Sequence, residues 1–346
     1  MKNTFKERLG GFFRTYTIVV VLVAVLLLFS IVLGDRFTNS TNILNVIRSV
    51  SMVGLICCGY SFVMISGGCD ISTGWQMNLA MSIMAKLMVD HGVAPVIAVL
   101  CGMLACVLCQ ILNAYIGVKL NLHGFLVSLA TMNIFQGLTM LYTGAQTTIG
   151  LPEGFNWAGQ GNLVGTVPVA VVILLVCTII AHVVLNKTTF GRYVFAIGGN
   201  AEAARLSGIN VNKQRILIAC WCGVFVGIAG WVMLSRMNTG YPSAATGYEF
   251  KAILACCVGG LSFSGGIGKI LGVFCGAVVI GVLSNGLTLL GVSEYWQYNI
   301  NGVLMLGAVA FDQIIQASAI RHAKLAQAKT QAAAAANSEI SCAERQ

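Results

Sequence analysis

The chain has 346 residues, of which 57% are apolar and only 9% are charged. A soluble globular domain carries about 25% charged residues, so this composition excludes a soluble fold and predicts an integral membrane protein. The net charge of +9 does not indicate a nucleic-acid partner, because the basic residues lie in short segments between apolar runs. The runs do not alternate polar and apolar residues, which favours helices over a transmembrane β-barrel.

The predicted fold is an all-α integral membrane domain of about ten transmembrane helices, since apolar runs of roughly 18 residues can cross the bilayer. The predicted spans are 15–34, 44–66, 74–89, 94–118, 124–143, 165–186, 215–235, 249–263, 269–290 and 296–315. The third and eighth are short enough to be partial or re-entrant. The first follows basic residues but is too long for a signal peptide, so we expect it to be retained.

Three basic segments predict the orientation, because Lys and Arg in short loops stay in the cytoplasm. They are the N-terminus 1–14, the loop 187–214 and the tail 316–346, and they flank a transmembrane domain over 15–315. An even number of predicted spans separates each basic segment from the next. The span count and the charge rule therefore agree that both termini are cytoplasmic. The tail is of low complexity, and we expect it to be disordered.

The stretches 102–124 and 276–296 share a pattern. Each runs from a Gly-rich helix through an asparagine toward an aromatic residue. Inverted repeats are common in transporters, and one interpretation of this shared pattern is an inverted repeat, the other being a chance match.

An acidic motif, SGGCDISTG at 66–74, interrupts two apolar runs. Asp70, followed by Ser72 and Thr73, can cap the next helix. A charge near the hydrocarbon is costly, so the other interpretation is a broken-helix element that lines the pathway or contacts a partner. Asp70, Ser72 and Glu249, at the start of the eighth span, are accordingly candidates for the translocation pathway or its gating.

Neutral amides inside the apolar runs are further pathway candidates, because they offer donors and acceptors to a hydroxyl-rich solute without needing a counter-ion. For each of them the alternative is a hydrogen bond that holds two helices together. These residues are Asn78, Gln110, Asn113, Asn133, Gln136, Asn285, Asn299 and Asn301.

The basic loop contains a predicted surface helix that begins after Asn200, an N-cap residue, and ends at Gly208. Such a helix offers a compact docking site to a cytoplasmic protein. The alternative is an amphipathic helix on lipid headgroups, which the scarcity of bulky apolar residues disfavours. The residues predicted to form this docking site are Arg192, Asn200, Glu202, Ala203, Ala204, Arg205 and Gly208.

The chain carries no signature of its own cofactor or catalytic chemistry. A phosphate-binding loop needs a Gly-Lys pair followed by Ser or Thr, but Gly268-Lys269 is followed by Ile270. The pair Cys106 and Cys109 lacks the second ligand pair of a metal site. We therefore predict a chain that is not an enzyme, with no catalytic residue and no bound metal.

Four motifs occur in order along the chain: GGCDISTG (67–74), FGRYVFAIGGNAEAARLSGI (190–209), TGYEFKAI with VGGLSFSGGIG (246–268), and LGVSEYWQYNINGVLMLGAVAFD (290–312). Together they resemble the permease subunits of bacterial ABC importers for ribose, galactose, xylose and arabinose. The similarity extends from about residue 42 to residue 315. The chain departs from this family at Lys251, where members usually carry an acid.

The resemblance implies a pathway for a ribose- or galactose-like monosaccharide in the bacterial inner membrane, built by a homodimer surrounded by lipid. It also implies two partners. One is a cytoplasmic ATPase that uses ATP and Mg²⁺, docks at the predicted docking site and so couples ATP hydrolysis to transport. The other is an extracytoplasmic sugar-binding protein. Alternatives are a permease of the same superfamily for a nucleoside or a branched amino acid, and an ion-coupled secondary transporter with intramembrane carboxylates or histidines as relay sites.

Overall fold

A computed structural model describes residues 3–163, 165, 167–310 and 312–314, with side chains from Ile18 onward. Regular structure within these ranges is helical, apart from two isolated β-bridges. The helices up to residue 289 are α1 (Asn3–Leu33), α2 (Asp35–Thr38), α3 (Ser40–Ile65), α4 (Thr73–Val89), α5 (Pro95–Lys119), α6 (Gly124–Thr143), α7 (Trp157–Gln160), α8 (Val169–Lys187), α9 (Thr189–Gly199), α10 (Ala201–Leu206), α11 (Val211–Met237), α12 (Tyr248–Val258) and α13 (Ile270–Leu289). The predicted cytoplasmic tail 316–346 lies outside the described residues.

The all-helical membrane architecture predicted from the sequence is confirmed, but the number of ten spans is not. Within the described part of the chain, 6 helices are long and apolar enough to cross a membrane. They are α3, α5, α6, α8, α11 and α13. The other four predicted spans are also helical but fall outside this group. Three of them lie on α4 and α12, which have only 17 and 11 residues, and on α1, whose apolar part covers only 18–33.

The last of these four lies where the chain divides into two compact units, Met1–Met305 and Leu306–Gln346. In the first unit, residues 294–305 are helical. In the second unit, helical structure is described for residues 306–310 and 312–314.

The core of the first unit is built around α3 and α4, whose side chains are mostly buried. Helix α11 packs closely on α5 through Gly223 and Gly227, which stand one helical turn apart. A Cβ on either would lie within 2.8 Å of a Cα of α5. Small residues spaced by four let two membrane helices approach in this way. The segment between α6 and α8 is held to the end of α11, where the Gly159 N–H donates to Ser235 Oγ at 2.8 Å.

Candidate functional site

The acidic motif lies in the turn between α3 and α4, and the Asp70 side chain folds back on that turn. Asp70 is only 6% exposed. Its Oδ1 accepts hydrogen bonds from the Ser72 backbone N–H at 2.7 Å and from the Ser72 hydroxyl at 2.6 Å. The residue preceding α4 is Ser72 rather than Asp70. The carboxylate therefore fixes the turn before the helix instead of capping the helix itself.

Two amides join Asp70 and Ser72 in a buried cluster. Asn113, from α5, donates through Nδ2 to Asp70 Oδ2 at 3.3 Å and to Ser72 Oγ at 2.9 Å. Gln76, one turn into α4, donates to the same Ser72 oxygen at 2.7 Å. The structure thus brings together three of the sequence-predicted residues, Asp70, Ser72 and Asn113. Asn113 Oδ1 has no hydrogen-bond partner among the described residues.

Hydroxyl groups from two further helices complete this polar cluster. The Tyr60 hydroxyl of α3 accepts from Asp70 N–H at 3.2 Å, and Ser128 Oγ of α6 accepts from Ile71 N–H at 3.2 Å. Sequence reasoning missed Tyr60, Ser128 and Gln76. Only Gln76 carried a signal, since it follows Ser72 by four residues and so faces it on a helix. We call Tyr60, Asp70, Ser72, Gln76, Asn113 and Ser128 the Asp70 cluster.

A cavity of about 320 Å³ lies against the Asp70 cluster, between the α3–α4 turn, α5, the start of α6 and the start of α11. Asp70, Asn113, Gln110, Ser128 and Arg215 contribute to its lining. Gln110 is 2% exposed, and its Nε2 has no partner within the described part of the chain. Carboxylate, amide, hydroxyl and guanidinium groups in one cavity suit a small polar solute, because they provide both donors and acceptors.

Glu249 occupies a second buried polar position, 2% exposed, in the first turn of α12. Its Oε1 accepts from Gly247 N–H at 3.2 Å, while Oε2 lies against Gly74 of α4 and has no hydrogen-bond partner in the described ranges. A nearby amide, Asn78, accepts from Ala245 N–H at 2.7 Å and so ties α4 to the turn before α12. Asp70 and Glu249 thus both lie near the start of α4, but Asp70 belongs to the α3–α4 turn and Glu249 to α12.

The basic loop folds as α9 and α10. The Asn200 side chain accepts from the N–H groups of Glu202 and Ala203 at 3.0 and 2.9 Å, which is the geometry of an N-cap. Arg205 and Glu202 form an exposed ion pair at 3.1 Å. Gly208 follows the helix with φ +85°, a left-handed conformation that favours glycine.

The surface of this loop is largely polar and exposed. Ala204 is buried beside Ile197 and Val211, whereas Arg192 and Ala203 are exposed. Leu206, at the end of α10, is 86% exposed. An ordered, capped helix with one exposed leucine at its end and charges around it is suited to contact another protein. We call residues 189–208 the coupling segment.

Comparison with known proteins identifies the family. Residues 42–309 match the family model described as the branched-chain amino acid transport system permease component. The chain belongs to this permease family. The permease is 37% identical to the ribose import permease protein RbsC of Bacillus subtilis, over 89% of this chain and 93% of that protein. No solved structure matches it.

Two other relatives act on different sugars according to their names. The permease is 34% identical to the fructose import permease protein FrcC of Rhizobium meliloti, over 86% of this chain and 84% of the relative. It is 35% identical to the L-arabinose transport system permease protein AraH of Escherichia coli K12, with coverage of 89% and 93%. The permease therefore groups with monosaccharide ABC permeases, as the four motifs indicate.

The remaining predicted amides of the permease do not join the Asp70 cluster. Asn285 of α13 donates to Asn42 of α3 at 3.0 Å, an interhelical contact. Asn133 and Asn299 are exposed and donate to carbonyl oxygens on their own helices. Gln136 is half-buried on α6, and Asn301 is buried. The structure thus separates one compact polar cluster from amides that lie singly on other helices.

Lys251, where the chain departs from the family pattern, lies over an aromatic ring of its own helix. Its ammonium lies 4.8 Å from the centroid of the Tyr248 ring. A cation over an aromatic face is a favourable arrangement. The departure is therefore accommodated by the tyrosine three residues earlier on α12.

Proposed function

We propose that the chain is the membrane-spanning permease subunit of an ATP-driven ABC importer for a monosaccharide. Similarity over nine-tenths of the chain to permeases named for ribose and L-arabinose carries this proposal. The polar cavity beside the Asp70 cluster agrees with it, because neutral amides and hydroxyls match the hydroxyl groups of a sugar. The permease forms the pathway and performs no covalent chemistry.

The permease crosses the bacterial inner membrane ten times, with both termini in the cytoplasm. Support comes from the even numbers of predicted spans between its basic segments and from the helices found at each span in the described part of the chain. Helix α12, about 16 Å long at 1.5 Å per residue, covers about half the hydrocarbon, so the proposed eighth crossing is completed by the non-helical residues next to it. The inverted repeat stays a prediction.

Partners supply the energy and the substrate. A cytoplasmic ATPase docks at the coupling segment and uses ATP with Mg²⁺, so the permease itself needs no cofactor. An extracytoplasmic sugar-binding protein delivers the sugar on the other side. Two permease copies form a homodimer within the lipid, and the exposed Asn133 and Asn299 support this arrangement. Polar side chains on membrane helices are costly against lipid and normally face a protein or a water-filled path.

A permease of this kind alternates between opening to the outside and opening to the cytoplasm. We propose that the Asp70 cluster holds the α3–α4 turn in one of these two states. Gln136, Asn285 and Glu249 are the other pathway or gating candidates. A permease of the same superfamily for a nucleoside or a branched amino acid is the second candidate function, and the description of the matching family model favours its branched amino acid form. An ion-coupled transporter would use Asp70 or Glu249 as a relay site.

Transport in reconstituted vesicles separates these functions. The permease is assembled with its cognate ATPase and binding protein, and uptake of labelled D-ribose, D-fructose, L-arabinose, adenosine and leucine is compared. We expect ATP-dependent uptake of one sugar that survives collapse of the proton gradient. Uptake of adenosine or leucine alone would select the second candidate, and uptake abolished with the gradient would select the ion-coupled one.

A further inference from the structure

Three turns that are far apart in the sequence meet at glycines. They are the α3–α4 turn at Gly67, the end of α9 at Gly198 and Gly199, and the α12–α13 turn at Gly265 and Gly266. Gly266 N–H donates to the carbonyl oxygen of Ile65, the last residue of α3, at 2.8 Å. The coupling segment is therefore adjacent to two breaks between membrane helices.

The three turns are in contact through their backbones. A Cβ on Gly198 would overlap the Ile65 carbonyl oxygen and would stand 2.6 Å from Gly266 N. A Cβ on Gly265 would stand 2.8 Å from the Gly67 Cα and 3.0 Å from the Gly198 carbonyl oxygen. Side chains on Gly198 or Gly265 would push these segments apart, and Gly67 has a left-handed φ of +78° that favours glycine. We call Gly67, Gly198, Gly265 and Gly266 the glycine junction.

Aromatic side chains fix the other end of α9 to the same helix. Phe190 stacks on Phe62 of α3 with ring centroids 5.8 Å apart. Trp221 of α11 packs against Phe62 at 4.9 Å and donates through Nε1 to the Cys58 carbonyl oxygen at 3.4 Å. Helix α9 is thus held against α3 at both ends, so a displacement of α9 moves the end of α3 with it.

The α3 end leads directly into the Asp70 cluster. Gly67 is three residues before Asp70, whose carboxylate is bonded to Ser72 and Asn113. We propose that the glycine junction transmits motion of the coupling segment to the Asp70 cluster, with Gly198 as its positioning residue. This inference rests on the proposed function, because it requires an ATPase that moves the coupling segment. It adds a physical route from the ATPase contact to the polar cavity.

The adjacent glycine provides a matched control. A Cβ on Gly199 would meet no atom within 4 Å, so Gly199→Ala makes the same chemical change without disturbing the contact. We expect Gly198→Ala to assemble with the ATPase and hydrolyse ATP, while sugar moved per ATP falls at least tenfold. Gly199→Ala should match the wild type. A normal transport ratio for Gly198→Ala would overturn the proposal, since a purely structural role would lower the amount of complex but not this ratio.

Hydrogen exchange on the wild-type complex tests the same proposal without relying on the folding of a variant. We expect peptides from 60–72, 189–208 and 260–268 to change exchange together when a non-hydrolysable ATP analogue is added. A change in 189–208 with none in 60–72 would overturn the junction. If the wild-type complex itself transports none of the labelled sugars, the proposed function fails instead, so the two failures are distinguishable.

Discussion

Asp70 is a buried carboxylate whose charge is compensated by hydrogen bonds. A buried carboxylate is stable only when its oxygens receive hydrogen bonds. Here three donors approach it, from the Ser72 backbone, the Ser72 hydroxyl and Asn113 Nδ2. Hydrogen bonds to charged groups contribute about 1.5–3 kcal/mol each, so the carboxylate fixes the turn strongly. Since one donor belongs to α5, the charge also joins two helices.

Asp70→Asn should therefore reduce transport with little effect on membrane insertion. An asparagine can still accept from the Ser72 N–H, but its amide nitrogen cannot accept from Asn113. Because the charge-assisted hydrogen bond from Asn113 is lost, we expect the uptake rate to fall by about tenfold or more. Uptake of labelled sugar is measured at equal amounts of inserted permease.

Asp90→Asn is the matched control, at the other end of α4. Asp90, which is exposed, forms an ion pair at 3.2 Å with the partly exposed Lys86. Exposed pairs contribute little, so this variant should transport at nearly the wild-type rate. Equal uptake rates for the two variants would show that Asp70 has no role in transport beyond fixing the turn.

At the scale of elements, α10 has its ends fixed by local chemistry. Asn200 satisfies the first free N–H groups, and Ile209 N–H donates to the Ala204 carbonyl oxygen at 3.1 Å across the left-handed Gly208. A short helix is unstable by itself in water. Its caps and the burial of Ala204 therefore determine the shape that a partner meets.

Gly208→Val should disconnect the permease from its ATPase. A β-branched residue in the left-handed region costs roughly 1–3 kcal/mol, which would unwind the end of α10. Asparagine tolerates that conformation, so Gly208→Asn serves as the conservative control. Co-purification of the ATPase and sugar-stimulated ATP hydrolysis should be lost with valine and largely kept with asparagine. Normal values for the valine variant would show that the coupling segment is not the docking site.

At the scale of the whole molecule, orientation follows from the distribution of basic residues. The coupling segment and the glycine junction should face the cytoplasm. The loop 145–164, whose only charge is Glu153, should face outward.

Labelling of introduced cysteines tests this orientation. In intact cells an impermeant maleimide should label Glu153→Cys but should label Ser207→Cys and the native Cys342 only after the membrane is opened. The wild type gives the background of the other native cysteines. Labelling of Ser207→Cys from outside would reverse the topology.

The helices and the caps of α10 could be predicted from the sequence because their causes are local. Bilayer crossing depends on the length of an apolar run, and capping depends on residues within one turn of each other. The predicted spans 124–143 and 74–89 accordingly fall on α6 and α4 to within a residue. The number of crossings could not be predicted from the length of apolar runs alone, because a helix as short as α12 cannot cross the membrane by itself.

The Asp70 cluster and the glycine junction were decided only by tertiary structure. Ser128 is 57 residues from the Ile71 N–H that it accepts. Gly266 is even farther along the chain from Ile65. Whether such groups meet depends on how α3, α5, α6 and α9 pack, and that packing is set by close contacts among many side chains rather than by any local pattern. A lone tyrosine, serine or glycine pair in an apolar run carries no local sign of the partner it will meet across the helix bundle.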